Sequence, residues 1–273
     1  MDPQVVRSIL SPPSIINHQP SIMSLTDLQQ QRYARHLTLP EIGPAGQAKL
    51  LAARVLLVGV GGLGSPAGFY LAAAGIGTLG VMDGDVLEAS NLQRQIAHTT
   101  PDLGRPKVES AQRTFQALNP DCHVRKIATR LTATNAAGML ADFDFVVDAT
   151  DNFDSKFLLA DACHAAGKPY SHAGIIAFFG QTMTVIPGQT ACYRCLFEQP
   201  PETPASPPRG PVGAVPGVIG SIQALEAIKF ITGCGTLLTN RLLTFDALKM
   251  SFRILPARRN PHCRLCSGTL AEA

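Results

Sequence analysis

Neither sign of charge dominates this chain: 23 Lys and Arg stand against 20 Asp and Glu in 273 residues, a formal net charge of +3 at pH 7. So small an excess argues against a nucleic-acid or anionic membrane surface, and any basic site has to be local. No apolar run approaches the ~20 residues of a membrane span. Residues 1–25 hold one Arg and four Pro but no apolar segment of the kind a secretory signal carries. The compartment this implies is cytoplasmic, with neither membrane nor nucleic acid as a partner. Internal repeats are missing too, and so is the apolar-poor composition of a disordered chain: 45% of residues are apolar and 16% charged. A chain of this length buries roughly 75% of the surface its unfolded form exposes, so it needs no disulfide or metal merely to fold.

Turning to what is there, residues 1–24 mix Pro, Ser and polar types without periodicity and read as a flexible leader, with Met23 offering a second start. The rest, 25–273, reads as a single domain. In Leu25–Leu37 (LTDLQQQRYARHL) the apolar spacing predicts one helix capped by Thr26 and displaying Arg32 and Arg35. Arg54–Val60 (RVLLVGV) is a run of β-formers that ends in Gly61-Gly62-Leu63-Gly64 and passes into SPAGFYLAAAG, a helix stopped by Gly75. A strand at Thr78–Asp83, a helix at Lys107–Leu118 and a strand near Val124–Ala128 follow. A short helix around Asn135–Leu140 and the buried strand Asp144–Ala149 complete the series. This βαβ alternation predicts an α/β, Rossmann-like, mostly parallel sheet flanked by helices on both faces, with its ligand site at the carboxyl ends of the strands. Beyond Gly174 the stretches FFGQTMTVI, RLLTFDA and KMSFRIL read as a more antiparallel edge, and Gly217–Thr232 as a strongly apolar helix. Between them Pro200–Pro216, with seven prolines, predicts an exposed crossover segment.

Gly59-Val60-Gly61-Gly62-Leu63-Gly64 follows a strand and opens a helix, where glycines permit a tight turn and close backbone approach while the helix N-terminus faces a phosphate. Asp83, 24 positions after the first glycine, ends the second strand, where a carboxylate can accept hydrogen bonds from ribose hydroxyls. That much fits a nicotinamide oxidoreductase as well as an ATP-using enzyme. Asp85, Ser90-Asn91-Leu92-Gln93-Arg94, Lys107 and Asp151-Asn152 shift the balance, because attack at a triphosphate needs added cations and a carboxylate for Mg²⁺. Taken singly, each has a plainer reading. Lys107 could be a solvated helix residue, Asp83 and Asp85 could cap a turn, Asn91 could form an Asx-turn, and Asp151-Asn152 could cap a helix beginning near Phe153.

The strings RYARH, GVGGLG, MDGDVLEASNLQRQ, GRPKVESA, DATDN, CYRC, GVIGSIQALEAIK and HCRLC, in this order over 235 residues from Arg32 to Cys266, resemble the MoeB, ThiF and HesA family of adenylating enzymes, relatives of ubiquitin-activating enzymes. The resemblance implies a homodimer that activates the C-terminal Gly-Gly carboxylate of a small ubiquitin-fold sulfur-carrier protein as an acyl-adenylate and releases pyrophosphate. It implies a nucleotide-binding half at about 50–173 and a carrier-binding, zinc-bearing half at about 174–268. By position, Gly62 with Gly59, Gly61 and Gly64 would take ATP phosphates, Asp83 the ribose, and Asn91, Arg94 and Lys107 the phosphates again. Asp151 would hold Mg²⁺, while Arg35 would reach into the partner subunit's site. Adenylation of a peptide C-terminus and a zinc-stapled scaffold without catalysis are the remaining readings beside the oxidoreductase.

Cys192-Tyr193-Arg194-Cys195 and Cys263-Arg264-Leu265-Cys266 are two C-x-x-C pairs 67 residues apart, each able to set two thiolates on one side of a turn. In a chain read as unexported they suggest a metal before a disulfide, and a closed four-thiolate Zn²⁺ site is structural and not catalytic. A redox dithiol and four free thiols are the alternatives; the resemblance implies one structural zinc. Between Cys195 and Cys234 there is no cysteine. In related enzymes a crossover-loop cysteine receives the activated acyl group or a sulfur, whereas here Ser206 falls near that place, with no His in the loop to activate it. Covalent transfer there is therefore not expected, and with no room for an appended rhodanese-like domain, sulfur would come from a separate donor protein. Cys122, Cys163 and Cys234 read as small buried apolar residues.

Overall fold

The computed structural model describes residues 25–199 and 210–267. The leader, most of the proline-rich segment with Ser206, and the last six residues lie outside them. Eight strands form one sheet in the order β3-β2-β1-β4-β5-β6-β7-β8. Strands β1 (Arg54–Val58), β2 (Thr78–Met82), β3 (His123–Ile127), β4 (Phe145–Asp148) and β5 (Tyr170–Ile176) are parallel. Strands β6 (Phe179–Val185), β7 (Arg241–Asp246) and β8 (Ser251–Pro256) continue it antiparallel. The chain thus builds outward from β1 to β3, returns, and starts β4 on the other side of β1. That reversal creates the crevice in which doubly wound sheets bind ligands.

The central strands read as continuous apolar runs because both their faces are covered. In β1, Val55 and Leu57 enter one core with helices α3 (Gly43–Ala52), α4 (Gly64–Ala74), α5 (Lys107–Leu118) and α9 (Ala214–Thr232). Leu56 and Val58 enter a second core with α6 (Ala136–Ala141), α7 (Phe153–Ala165) and the short α8 (Tyr193–Leu196). Helix α4 ends as its sequence predicts: Gly75 closes it in the left-handed conformation at φ 85°.

Four expectations need correction. The first helix is broken: Thr26 caps α1 (Asp27–Arg32) through a reciprocal bond with Gln29, but Tyr33 leaves helical geometry before α2 (Ala34–Leu37). The reason is tertiary, since the 2% exposed Tyr33 ring packs against Gly75 and its hydroxyl accepts from Asn119 Nδ2 at 2.9 Å. The apolar helix begins at Ala214, three residues early, because Pro216 in its first turn forfeits no intrahelical bond. Val215 and Pro216 are accordingly buried, so the proline-rich segment is not exposed to its end. Cys122 and Cys163 are buried as expected, whereas Cys234 is half-exposed.

Helix α9 is apolar and long enough to cross a membrane by those criteria alone, yet it packs on α4, β5 and β6. Its buried Glu226 accepts from Thr184 Oγ1 at 2.6 Å and the Leu238 amide at 2.7 Å, and pairs with Lys229.

Candidate functional site

The crevice at the carboxyl ends of β1, β2 and β4 gathers most of the residues singled out above. The turn after β1 is forced to be glycine-rich. Gly59 has φ 89°, and a Cβ there would stand 2.8 Å from the Ala149 carbonyl oxygen. A Cβ on Gly64 would stand 2.1 Å from the Gly59 carbonyl oxygen. The loops after β1 and β4 therefore touch, and α4 starts against the turn, its Ser65 amide donating to the Gly61 carbonyl at 2.9 Å and Pro66 carrying no amide hydrogen. Pro216, Arg94 and Gln95 wall the turn: Pro216 Cβ and Arg94 Cγ would lie 3.3 and 3.5 Å from a Cβ on Gly62, and Gln95 Nε2 3.4 Å from one on Gly61. Among the described residues, Gln95 Oε1 and Ser65 Oγ are buried without a hydrogen-bond partner beside this turn. Room for no side chain and unpaired polar atoms suit a phosphate chain.

Asp83 is shared between structure and site. Its Oδ2 accepts from the Val60 amide at 3.0 Å and its Oδ1 from the Asp85 amide at 2.9 Å, so the turn-capping reading is correct as well. A carboxylate has about four acceptor positions, which leaves capacity for two ribose hydroxyls. Asp85 bridges two cations: Oδ2 lies 3.0 Å from Lys107 Nζ and Oδ1 2.7 Å from Arg130 Nη2. Partial burial pushes its pKa up, but the bonds from Lys107 and Arg130 outweigh that and hold it below the usual carboxylate value. Lys107, at the start of α5, is only 6% exposed, so it is not the solvated residue its isolated position could suggest.

The segment from Ser90 to Arg94 folds on itself beside the turn. Asn91 Oδ1 accepts from the Glu88 amide at 3.2 Å, Ser90 Oγ donates to Glu88 Oε2 at 3.3 Å, and Arg94 Nη1 donates to the Ser90 carbonyl at 3.0 Å. Leu92 sits half-buried in the same segment, and Gln93 Nε2 donates to the Pro211 carbonyl at 3.4 Å. Past β4, Asn152 caps α7, its Oδ1 accepting from the Ser155 amide at 2.8 Å. Asp151 is exposed, and among the described residues its Oδ1 takes one long bond, 3.4 Å, from Asn152 Nδ2. Such a carboxylate suits a hydrated Mg²⁺.

Arg35 is not in this cluster. Helix α2 lies at the opposite end of the sheet: His36 Nδ1 is 2.8 Å from Gln47 Oε1, and Gln47 Nε2 donates to the Ala74 carbonyl at the end of α4. The Arg35 side chain is exposed there, so within one chain it is remote from the glycine turn.

Two supporting networks went unread in the sequence. His98 Nε2 donates to the Val60 carbonyl at 3.0 Å, and its Nδ1 lies 3.0 Å from Ser110 Oγ, which in turn reaches Asp102 Oδ2 at 2.7 Å. That chain anchors the glycine turn from below; burial pushes the His98 pKa down. Beneath the loop after β4, Asp148 is 1% exposed and holds three partners. Lys156 Nζ is 3.4 Å from both its oxygens, His172 Nδ1 donates to Oδ2 at 3.0 Å, and Thr150 donates to Oδ1 from its hydroxyl at 2.6 Å. Burial pushes the Asp148 carboxyl up, yet the Lys156 charge and the His172 bond prevail and bring it down to about 2. Burial likewise pushes the His172 pKa down, against the opposing pull of its bond to Asp148. Thr150 carries this order directly to Asp151.

The two C-x-x-C pairs meet. Sγ of Cys192 lies 3.6 Å from that of Cys195 and 3.5 Å from that of Cys263, with Cys195 and Cys266 3.3 Å apart, and all four sulfurs within 4.8 Å of one another. Thiolates at about 2.3 Å from a tetrahedral Zn²⁺ stand roughly 3.8 Å apart, so the cluster has the size and donor set of a closed zinc site. Arg194, between Cys192 and Cys195, forks onto Asp161 of α7 with two bonds of 2.7 Å, tying this segment to the helix that follows Asp151.

The ThiF family model matches residues 33–265. The chain is 46% identical over 247 residues to the SAMP-activating enzyme E1 of Haloferax volcanii, covering 89% of this chain and 91% of that one. It is 45% identical over 252 residues to the sulfur carrier protein adenylyltransferase of Thermus thermophilus, covering 89% and 93%. Among solved structures, E. coli MccB crystallised with ATP matches at a TM-score of 0.77 and 26% identity, covering 87% of this chain and 75% of that one.

Proposed function

Because the chain belongs to the ThiF family, we propose that its carboxyl-end crevice binds MgATP and adenylates the C-terminal Gly-Gly carboxylate of a small ubiquitin-fold sulfur-carrier protein. The carrier carboxylate oxygen forms a bond to the α-phosphorus, the bond from that phosphorus to the β-phosphate oxygen breaks, and pyrophosphate leaves. The observation that carries this reading is the convergence of the glycine turn, Asp83, Asp151, Arg94 and Lys107 at one switch point, in a chain matching a SAMP-activating enzyme E1 and a sulfur carrier protein adenylyltransferase along nearly their full length.

Bringing a carboxylate to a triphosphate opposes like charges, so the barrier falls chiefly through charge neutralisation and in-line positioning, and no general base is required. In this reading the amides of the glycine turn hold the phosphate chain at the start of α4, and Asp83 fixes the ribose. Asn91, Arg94 and Lys107 turn toward the phosphates, with Ser90, Leu92, Gln93 and Asn152 shaping the wall. Asp151 would hold Mg²⁺, which would supply positive charge beside the pyrophosphate leaving group. Since Arg35 is remote from its own crevice, it completes the site of a second copy, which makes the working unit a homodimer. The four cysteines hold Zn²⁺ as a structural tie, and sulfur comes from a separate donor protein.

The test is ATP–pyrophosphate exchange in the presence of Mg²⁺, with candidate carriers and short peptides added in turn and Asp151→Ala as the control. Exchange that depends on a carrier ending in Gly-Gly and disappears in the variant supports the reading. Exchange with a peptide alone, or none with any substrate, overturns it.

A further inference from the structure

We propose that Arg130 is a further nucleotide-binding residue, whose guanidinium forms one face of the pocket for the purine base. The inference rests on the adenylating reading above and extends it to a side chain that no pattern in the sequence marked.

Arg130 follows β3 by three residues, at the carboxyl end of the sheet. In the order β3-β2-β1 the glycine turn follows β1 and Asp83 follows β2. A nucleotide with its phosphates on the turn and its ribose on Asp83 therefore projects its base toward the end of β3. The stem of Arg130 already lies across that path: a Cβ added to Gly84 would stand 2.7 Å from Arg130 Cγ and 3.2 Å from its amide nitrogen. Gly84 is thus the residue that lets Arg130 lie on the segment from Asp83 to Asp85.

The guanidinium is held but not covered. Nη2 is 2.7 Å from Asp85 Oδ1, while the side chain is 78% exposed. Its backbone is pinned, the Arg130 carbonyl accepting from Asn135 Nδ2 at 2.9 Å. The bond to Asp85, followed by the charges of Asp83 and Asp151, holds its pKa above the usual arginine value, in keeping with a position above the acidic rim of the crevice. An exposed ion pair of this kind contributes little to stability. What it does is fix the plane of a flat cation, and a flat cation stacks on an aromatic base in a way that an ammonium does not. Asp85 also occupies Lys107 through its other oxygen, so the carboxylate sorts the two cations, Arg130 toward the base and Lys107 toward the phosphates.

The experiment is calorimetric titration of the full-length protein and its Arg130→Ala and Arg130→Lys variants with MgATP, AMP and inorganic tripolyphosphate. Loss of a cation–π face predicts that Arg130→Ala weakens ATP and AMP by about three- to thirtyfold while leaving tripolyphosphate within about twofold. Arg130→Lys is expected to be as weak as Arg130→Ala. Unchanged ATP affinity in Arg130→Ala overturns the proposal, as does an equal loss for tripolyphosphate, which would make Arg130 a phosphate contact or a prop for Lys107. Full recovery with Lys overturns it too, since a point charge would then suffice. If the unaltered protein binds none of the three ligands, the adenylating reading itself falls.

Discussion

Replacing Lys156 with Met probes the buried network under the loop that carries Asp151. Asp148 is 1% exposed, and Lys156 is the cation that faces both its oxygens at 3.4 Å. Removing one member of a buried ion pair costs about 3–5 kcal/mol, because the other charge is left desolvated and unpaired. His172 and Thr150 still donate to the carboxylate, which places the loss near the lower end, about 3 kcal/mol. At roughly 2–4 °C per kcal/mol for a chain of this size, Tm should fall by roughly 6–12 °C. The pH dependence gives the sharper signature. The Asp148 pKa is depressed to about 2, so its pairing stabilises fully above the unfolded carboxylate value of roughly 3.9 and fades only as pH falls through the folded value. Without the Lys156 charge, burial prevails over the remaining His172 and Thr150 bonds, and the carboxyl takes a proton at higher pH than in the unaltered protein. The gap between the two proteins should therefore be widest near neutrality and narrow below about pH 5. Thermal melts of the two proteins at neutral and mildly acidic pH, with the double variant Asp148→Asn, Lys156→Met as the partial rescue, decide the matter. A gap of less than about 2 °C, or one that does not change with pH, refutes the reasoning.

Other consequences follow from single positions. Gly64→Ala would set a Cβ 2.1 Å from the Gly59 carbonyl oxygen; the turn must shift, and overpacking of this kind should destabilise the chain by about 1–3 kcal/mol and weaken ATP binding, both readable in melts with and without MgATP. Freshly purified protein should contain one zinc per chain by elemental analysis, and Cys263→Ser should lose it together with thermal stability; a full zinc complement in that variant would show that the cluster is not the site. Arg35→Ala should lower exchange by about 10³-fold if it acts as an arginine finger. Mixing Arg35→Ala with Asp151→Ala subunits should restore activity, because one crevice of the mixed dimer is then intact; no recovery on mixing would remove the role in trans.

The parts of the fold and site that could be read in advance share one property: their signal is local in sequence. A glycine turn between a β-run and a helix, a doubled C-x-x-C and an Asp at a strand end each announce themselves within a few residues. What escaped depends on distant partners. Asp148 closes an apolar strand, and nothing in its surroundings points to Lys156, eight residues on, or to His172, 24 residues on, whose contacts exist only once β5 lies beside β4. Tyr33 breaks a helix that local propensity favours because Gly75 and Asn119 leave a slot for its ring. Helix α3 lacks a strong apolar period although Gly43-Pro44 opens it, and the expected crossover segment extends to Pro216, where a first-turn proline is harmless to the helix. Arg130 carries no motif at all, and only the close passage over Gly84 reveals it.

Intact-mass spectrometry of a Gly-Gly-ending carrier, incubated with this protein, ATP and Mg²⁺ and quenched in acid, tests the central claim most directly. The account predicts that the carrier gains one adenylyl group on its terminal carboxylate, that a carrier lacking the last glycine gains none, and that the protein itself stays unmodified. Adenylyl transfer to the protein instead, or to the truncated carrier as readily as to the complete one, would contradict it.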